Sequence, residues 1–230
     1  MSNKHILVVL TSHDALGDTG NKTGFWFEEF AAPYYEFLDA GAEITLASLK
    51  GGQPPIDPNS ASEEWQTNAT CRFNEDEVGK QALANTTPIA ELDASSFDAV
   101  FFPGGHGPMW EYPGNEMLAH LIETFDEEQK PIGSVCHGPV ALVSAKKRDN
   151  TPLVAGKHVS VFTNGEEAGV GLTDVVPFLL EDRFKELGAI IENGDDFTSN
   201  VVRDGNLVTG QNPQSSVATA QALLETLNAA

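Results

Sequence analysis

Gly133-Ser134-Val135-Cys136-His137-Gly138-Pro139 is the stretch whose reading decides the fold. Lys130 to Val135 is short and apolar, so it reads as a buried strand, and Pro139 to Lys147 reads as the helix that follows it. Cys136 then falls on the sharp turn between the two. Such an elbow strains the backbone and points the side chain outward, and a helix N-terminus beyond it would favour the thiolate, the form that reacts. The same residues also fit a buried structural cysteine before an ordinary turn, because free cysteine is among the most buried residue types.

Outward from this elbow, apolar runs alternate with amphipathic segments along the whole chain. That pattern predicts the α/β class, with a mostly parallel sheet and helices on both faces. His5 to Ser12 reads as the first strand, Phe25 to Ala40 as a long helix, and Ala42 to Ser48 as the second strand, reached through Gly41 as a helix stop. The loop from Gly51 to Pro58 is too rich in glycine and proline for regular structure, and Glu75 to Ala84 reads as a helix beyond it. Phe97 to Phe102 makes a central strand and Asn115 to Glu128 the next helix. After the elbow come a strand at His158 to Phe162, a helix at Val175 to Leu187 ended by Gly188, and extended structure at Ala189 to Glu192. Val201 to Thr209 has a hairpin signature around Asp204-Gly205, and Ser215 to Leu227 reads as a closing helix.

The 230 residues suit a single domain spanning 1–230, with no internal repeat, low-complexity tract or obvious linker. Two cysteines, Cys71 and Cys136, make no disulfide framework and fit a reducing, cytoplasmic setting. The run from Met1 to Leu10 is too short for a membrane span and lacks a small-residue cleavage site. With 34 acidic against 13 basic residues the net charge is −21, which argues against nucleic acid and anionic membranes as partners. The acidic residues are scattered through the chain, so the charge reads as solvation of a globular protein.

In open α/β sheets, reacting side chains sit beyond the carboxyl ends of the strands. Three places there carry chemistry. After Phe97–Phe102 comes Gly104-Gly105-His106-Gly107, whose small residues permit close backbone approach and offer N–H groups to an oxyanion. Its glycine spacing matches neither a phosphate loop nor a dinucleotide fingerprint. On the first helix, Glu28 and Glu29 lie about 100° apart, so one of them can face the sheet edge. A carboxyl held inward beside a thiol would have a raised pKa and could shuttle a proton. After His158–Phe162, Thr163-Asn164-Gly165-Glu166-Glu167 offers a carboxylate to orient a histidine, and with His137 next to Cys136 a Cys-His-Glu triad is conceivable. His5, His13, His120 and His158 show no metal-site spacing.

Several motifs together resemble the ThiJ/PfpI superfamily and, within it, the glyoxalase III branch, whose members are also described as heat-shock chaperones. They are Asn21-Lys22-Thr23-Gly24 with Glu29 and Pro33-Tyr34, Pro103 to Gly107 with Met109-Trp110, Val135 to Pro139, and Leu207 to Pro213. The resemblance implies a flavodoxin-like three-layer sandwich with class I glutamine amidotransferase topology, in a homodimer. It makes Cys136 the nucleophile, His137 its triad neighbour and Glu29 the carboxyl that contacts the sulfur. Gly104, Gly105 and the backbone around His137 would bind the oxyanion, with His106, Met109 and Trp110 lining the pocket. The third triad member is Glu167, with Glu166 as runner-up.

The implied reaction converts a 2-oxoaldehyde such as methylglyoxal to a 2-hydroxy acid such as lactate, without glutathione, cofactor or metal. Either Glu29 or His137 would move the proton. Hydrolysis of amides, by a peptidase or deglycase, is the alternative chemistry. A stress chaperone, or a redox sensor whose thiol gains oxygen, is the alternative from another class.

Overall fold

The computed structural model describes residues 4–229, so the reading of Met1 to Asn3 lies outside them. Ile6 to Leu10 is apolar without alternation, as a strand covered on both faces requires, and all five side chains are buried. This strand, β1 (His5–Leu10), lies in the interior of the sheet, next to its central strand. The others are β2 (Glu43–Ser48), β3 (Thr87–Pro88), β4 (Ala99–Phe102), β5 (Ile132–Val135), β6 (His158–Val159), β7 (Ile190–Ile191), β8 (Val201–Asp204) and β9 (Leu207–Gly210).

Seven of them form one sheet in the order β3-β2-β1-β4-β5-β9-β8. Every neighbouring pair is parallel except β8 and β9. That antiparallel pair is the hairpin expected around Asp204-Gly205, and Gly205 turns it at φ 64°. A positive φ at the first central residue is what a two-residue hairpin loop needs to match strand twist.

The helices Phe27–Asp39 and Ser216–Ala229 pack on each other on one side of the sheet. The helix Glu116–Glu127 connects β4 to β5 and packs with the 3-10 segment Gly138–Ser144. Right-handed crossovers that run outward in opposite directions from the β1/β4 seam place their helices on opposite faces. The result is the three-layer α/β sandwich.

Several expected elements differ in extent. The segment after the elbow is the 3-10 turn Gly138–Ser144 and not an α-helix to Lys147. The strand expected at His158–Phe162 stops at Val159 and pairs with β7 in a separate two-stranded sheet. Beyond it the Phe162 amide donates to the Cys136 carbonyl at 3.3 Å, drawing the chain in against the elbow. The helix expected from Val175 starts only at Leu180, because Pro177 disfavours helical backbone before it. The helix read at Glu75–Ala84 runs from Glu77 to Ala84, starting where Asp76 caps it by accepting from the Gly79 amide, and a separate helix not expected from the sequence, Asn68–Glu75, precedes it.

Candidate active site

The strand order reverses between β1 and β4, since the chain runs from β1 outward through β2 and β3 and then returns to β4 on the other side. A crevice opens at the carboxyl end of such a seam. The helix after β1 brings Glu29 to it in its first turn, the chain after β4 brings Gly104 to His106, and the chain after β5 brings Cys136 and His137.

Cys136 has φ 60°. A non-glycine residue in that region is strained by roughly 1–3 kcal/mol and persists only where its surroundings fix it. Here its amide donates to the Gly210 carbonyl at 2.9 Å and its carbonyl accepts from Phe162. Gly138 completes the elbow, because a Cβ there would lie 2.1 Å from the Phe102 carbonyl oxygen.

On one side of the sulfur stands a base. His137 Nδ1 lies 3.3 Å from Sγ, and His137 Nε2 lies 2.7 Å from Glu167 Oε2. The other oxygen of Glu167, Oε1, lies 2.7 Å from His106 Nε2. Burial opposes a charge on Glu167, but the two imidazoles outweigh it and hold the carboxyl well below the usual range. Burial and the neighbouring His106 hold His137 below the ordinary imidazole value, against the pull of Glu167. A neutral His137 that donates Nε2–H to Glu167 leaves Nδ1 as an acceptor facing the thiol. Phe162 and His106 hold the ring from its sides, with centroids 4.4 and 4.1 Å away.

Across the sulfur stands an acid. Glu29 is fully buried, and its Oε2 accepts from the Gly104 amide at 2.8 Å. Burial raises its pKa to about 8, although hydrogen bonds from Cys136 and Gly104 pull the other way. Oε1 is buried without a hydrogen-bond partner, which is the oxygen left to carry the proton. Glu28 faces away and accepts from the Thr67 hydroxyl.

The expected acidity of the thiol is not what the structure gives. Burial first, and the Glu29 carboxylate second, push Cys136 well above the ordinary thiol range. The seven-residue 3-10 segment behind the elbow aligns fewer peptide dipoles than an α-helix, so desolvation prevails. A thiolate therefore forms only as His137 takes the proton, with Glu29 neutral.

Glu166 and Glu167 are both buried but do different things. Glu166 accepts from the amides of Thr163 (2.8 Å) and Phe197 (2.7 Å) and from the side chains of Asn212 (2.7 Å) and Gln211 (3.2 Å). It therefore never reaches His137. Ligand-type atoms of His106, His137 and Glu167 lie within 4.8 Å of one another, the one such group among the described residues. Two ligands bound at about 2.0–2.1 Å to a tetrahedral ion would be separated by roughly 3.3 Å. The 2.7 Å contacts here are hydrogen bonds instead.

A cavity of about 60 Å³ opens over the sulfur. Glu29, Gly105, His106, Cys136 and His137 line its floor, and Trp26, Trp65, Phe162, Phe197 and Gln214 its walls. Two expected lining residues are elsewhere. Met109 is buried in the core, and Trp110 stacks on His13 at 5.6 Å, so neither borders the cavity. Gly104 gives its amide to Glu29 and so has none left for an oxyanion, whereas the Gly105 amide acts on both Glu29 and Cys136. Trp65 and Phe197 escape sequence reasoning because they come from a 3-10 turn and an irregular loop without periodicity. The density of aromatic residues around Glu28 and Glu29, Phe25-Trp26-Phe27 and Phe30, is the signal that points to Trp26.

The model of the DJ-1/PfpI family matches residues 22–226. Glyoxalase 3 of Candida albicans is 30% identical over 230 residues, covering 94% of this chain and 95% of the relative. The crystal structure of glyoxalase III from Candida albicans superposes with a TM-score of 0.90 at 28% identity, over 97% of both chains. The X-ray structure of the 24-kDa Rapid Encystment Protein of Francisella tularensis superposes with a TM-score of 0.93 at 38% identity, over 97% of this chain and 99% of that one.

Proposed function

The chain belongs to the DJ-1/PfpI family, and within it we propose that this protein is a glutathione-independent glyoxalase, which converts 2-oxoaldehydes such as methylglyoxal to 2-hydroxy acids. One observation carries the reading: the Cys136 sulfur has a neutral imidazole 3.3 Å away on one side and a carboxyl of pKa about 8 on the other. That is a base and an acid around one nucleophile.

His137 Nδ1 takes the thiol proton as sulfur adds to the aldehyde carbon, and Glu29 gives its proton to the aldehyde oxygen, forming a hemithioacetal. The Glu29 carboxylate then removes the C1 proton while the His137 imidazolium gives its proton to the C2 oxygen, forming an enediol; Glu29 next delivers its proton to C2 and takes up that of the C1 hydroxyl, which leaves a thioester of the 2-hydroxy acid and a neutral His137. Water, deprotonated by His137, attacks that thioester and releases the acid, and sulfur recovers its proton. The Gly105 amide, which acts on both Cys136 and Glu29, is placed to stabilise the oxygen in each addition. Glu167 keeps His137 in the tautomer this needs, as the buried carboxylate of any such triad does.

A cavity of about 60 Å³ has room for a three-carbon aldehyde and not for a folded peptide segment, since about 10–15 Å³ on this measure holds one water. This favours glyoxalase chemistry over peptidase or deglycase action. No helix among the described residues is long and apolar enough to cross a membrane, which is compatible with a cytoplasmic protein. The family resemblance supports one 1–230 domain acting as a homodimer, and sedimentation analysis tests the dimer. The activity itself is tested by incubating reduced protein with methylglyoxal without glutathione and assaying lactate. No lactate above the uncatalysed background overturns the assignment.

A further inference from the structure

Phe197 is one of four non-glycine residues among those described with positive φ, at 56°. A bulky side chain rarely adopts this conformation without a constraint. Its ring forms part of the wall of the cavity over Cys136 and is 42% exposed at the mouth.

The loop that carries it is tied to the helix Asn164–Gly169, the one that bears Glu167. The Phe197 amide donates to Glu166 Oε1 at 2.7 Å, and the Thr163 hydroxyl donates to Asp196 Oδ1 at 2.6 Å. Two glycines of that helix make room. A Cβ on Gly165 would lie 2.1 Å from Asp196 Oδ2, and one on Gly169 would lie 3.0 Å from the Phe197 ring. The far side of the ring system meets Phe162 edge to face at 6.4 Å. Glu166 Oε1 also accepts from Asn212 at 2.7 Å, and Asn212 in turn donates to the Thr198 carbonyl at 2.6 Å. One buried carboxylate thus ties together both loops that wall the cavity, the one with Phe197 and the one with Pro213 and Gln214.

We propose that Phe197 determines the size of carbonyl compound that reaches Cys136, and that Glu166 is the positioning residue that keeps it in place. The adjacent glutamates divide the work: Glu167 orients the imidazoles, and Glu166 holds the wall. This deepens the glyoxalase reading and rests on it for the substrate, but the access it describes concerns the thiol alone.

The test uses Phe197→Gly, because glycine keeps the left-handed backbone without strain and removes only the ring. The ratio of kcat/KM for phenylglyoxal to that for methylglyoxal should rise about tenfold or more, mainly through KM, as expected when a pocket wall is removed. Glu166→Gln should move the same ratio in the same direction by releasing the wall. A second arm needs no turnover. In a Cys71→Ser background, the rate of Cys136 alkylation by N-benzyliodoacetamide relative to iodoacetamide should rise about tenfold in Phe197→Gly. If wild type makes no lactate but this alkylation ratio shifts, the glyoxalase assignment fails and the size filter stands. If neither ratio changes in Phe197→Gly, or if both alkylation rates rise equally, the proposal is overturned.

Discussion

The Glu29 carboxylate oxygen accepts the Gly104 amide at 2.8 Å, across the seam where the strand order reverses. This single contact joins the helix after β1 to the turn after β4 and fixes the acid beside the thiol. Gly104 must be glycine for it to form, because a Cβ there would lie 2.6 Å from Glu29 Oε2 and 2.7 Å from both the His137 amide and the Val135 carbonyl oxygen. Gly104→Ala should therefore lower kcat by at least about 10²-fold by displacing Glu29, while circular dichroism still reports native helix content. Unchanged kcat would show that the contact does not position the acid.

Glu29→Gln keeps the shape of the carboxyl and removes its proton traffic, so kcat should fall by about 10²–10⁴-fold. In wild type, activity should decline as pH rises through about 8, where Glu29 loses its proton. The stability consequence has a definite sign. Above its ordinary value of 4.5 Glu29 ionises in the unfolded chain but stays protonated when folded, so rising pH favours unfolding up to about 8. The stability of Glu29→Gln relative to wild type should accordingly grow between those pH values and level off above them. A relative stability that is flat with pH, measured by urea titration, would contradict the raised pKa.

Adjacent glutamates should fail in different ways. Glu167→Gln presents an amide where two imidazole N–H groups need an acceptor, so kcat should drop by about 10²–10⁴-fold through the wrong tautomer of His137. Glu166→Gln leaves buried donors competing for fewer acceptors, which should destabilise the fold by about 1–3 kcal/mol. Chemical denaturation and steady-state kinetics on the two variants separate these effects. A Glu166 variant with the larger loss of kcat and normal stability would reverse the assignment.

Trp26 and Trp65 pack edge to face at 5.2 Å on one side of the cavity, whereas Trp110 stacks on His13. Trp65→Ala should raise KM for methylglyoxal by about tenfold, the low end of what one methylene of pocket contact is worth, and Trp110→Phe should leave it within about twofold, since Trp110 does not border the cavity. Equal effects at both positions would mean that the substrate sits differently from the cavity described.

Much of this arrangement is legible in the sequence because it lies in periodic or glycine-marked segments. The unbroken apolar run Ile6 to Leu10 identifies the first strand as one covered on both faces, and the elbow around Cys136 follows from a strand signal running into Gly138-Pro139. For the third triad position the sequence favours Glu167 and keeps Glu166 as runner-up, since facing on a helix of six residues, Asn164–Gly169, depends on where its cap falls. Thr163 caps it and sends Glu166 back to the cap amide, which leaves Glu167 to meet His137. The elbow alone points to an acidic thiol where the structure gives the reverse, because the thiol's pKa depends on burial and on Glu29, which reaches Cys136 from more than a hundred residues away in sequence. The size filter was invisible for a similar reason, as Phe197 is placed by contacts with Glu166 and Gly169 and not by any local pattern.

Cys136 is the group that attacks the aldehyde in this mechanism, and the decisive assay is lactate formation from methylglyoxal without glutathione by wild type and by Cys136→Ala. Wild type should accumulate lactate and the variant should form none beyond the uncatalysed rate, while remaining folded. Lactate formation by Cys136→Ala at the wild-type rate would contradict the account.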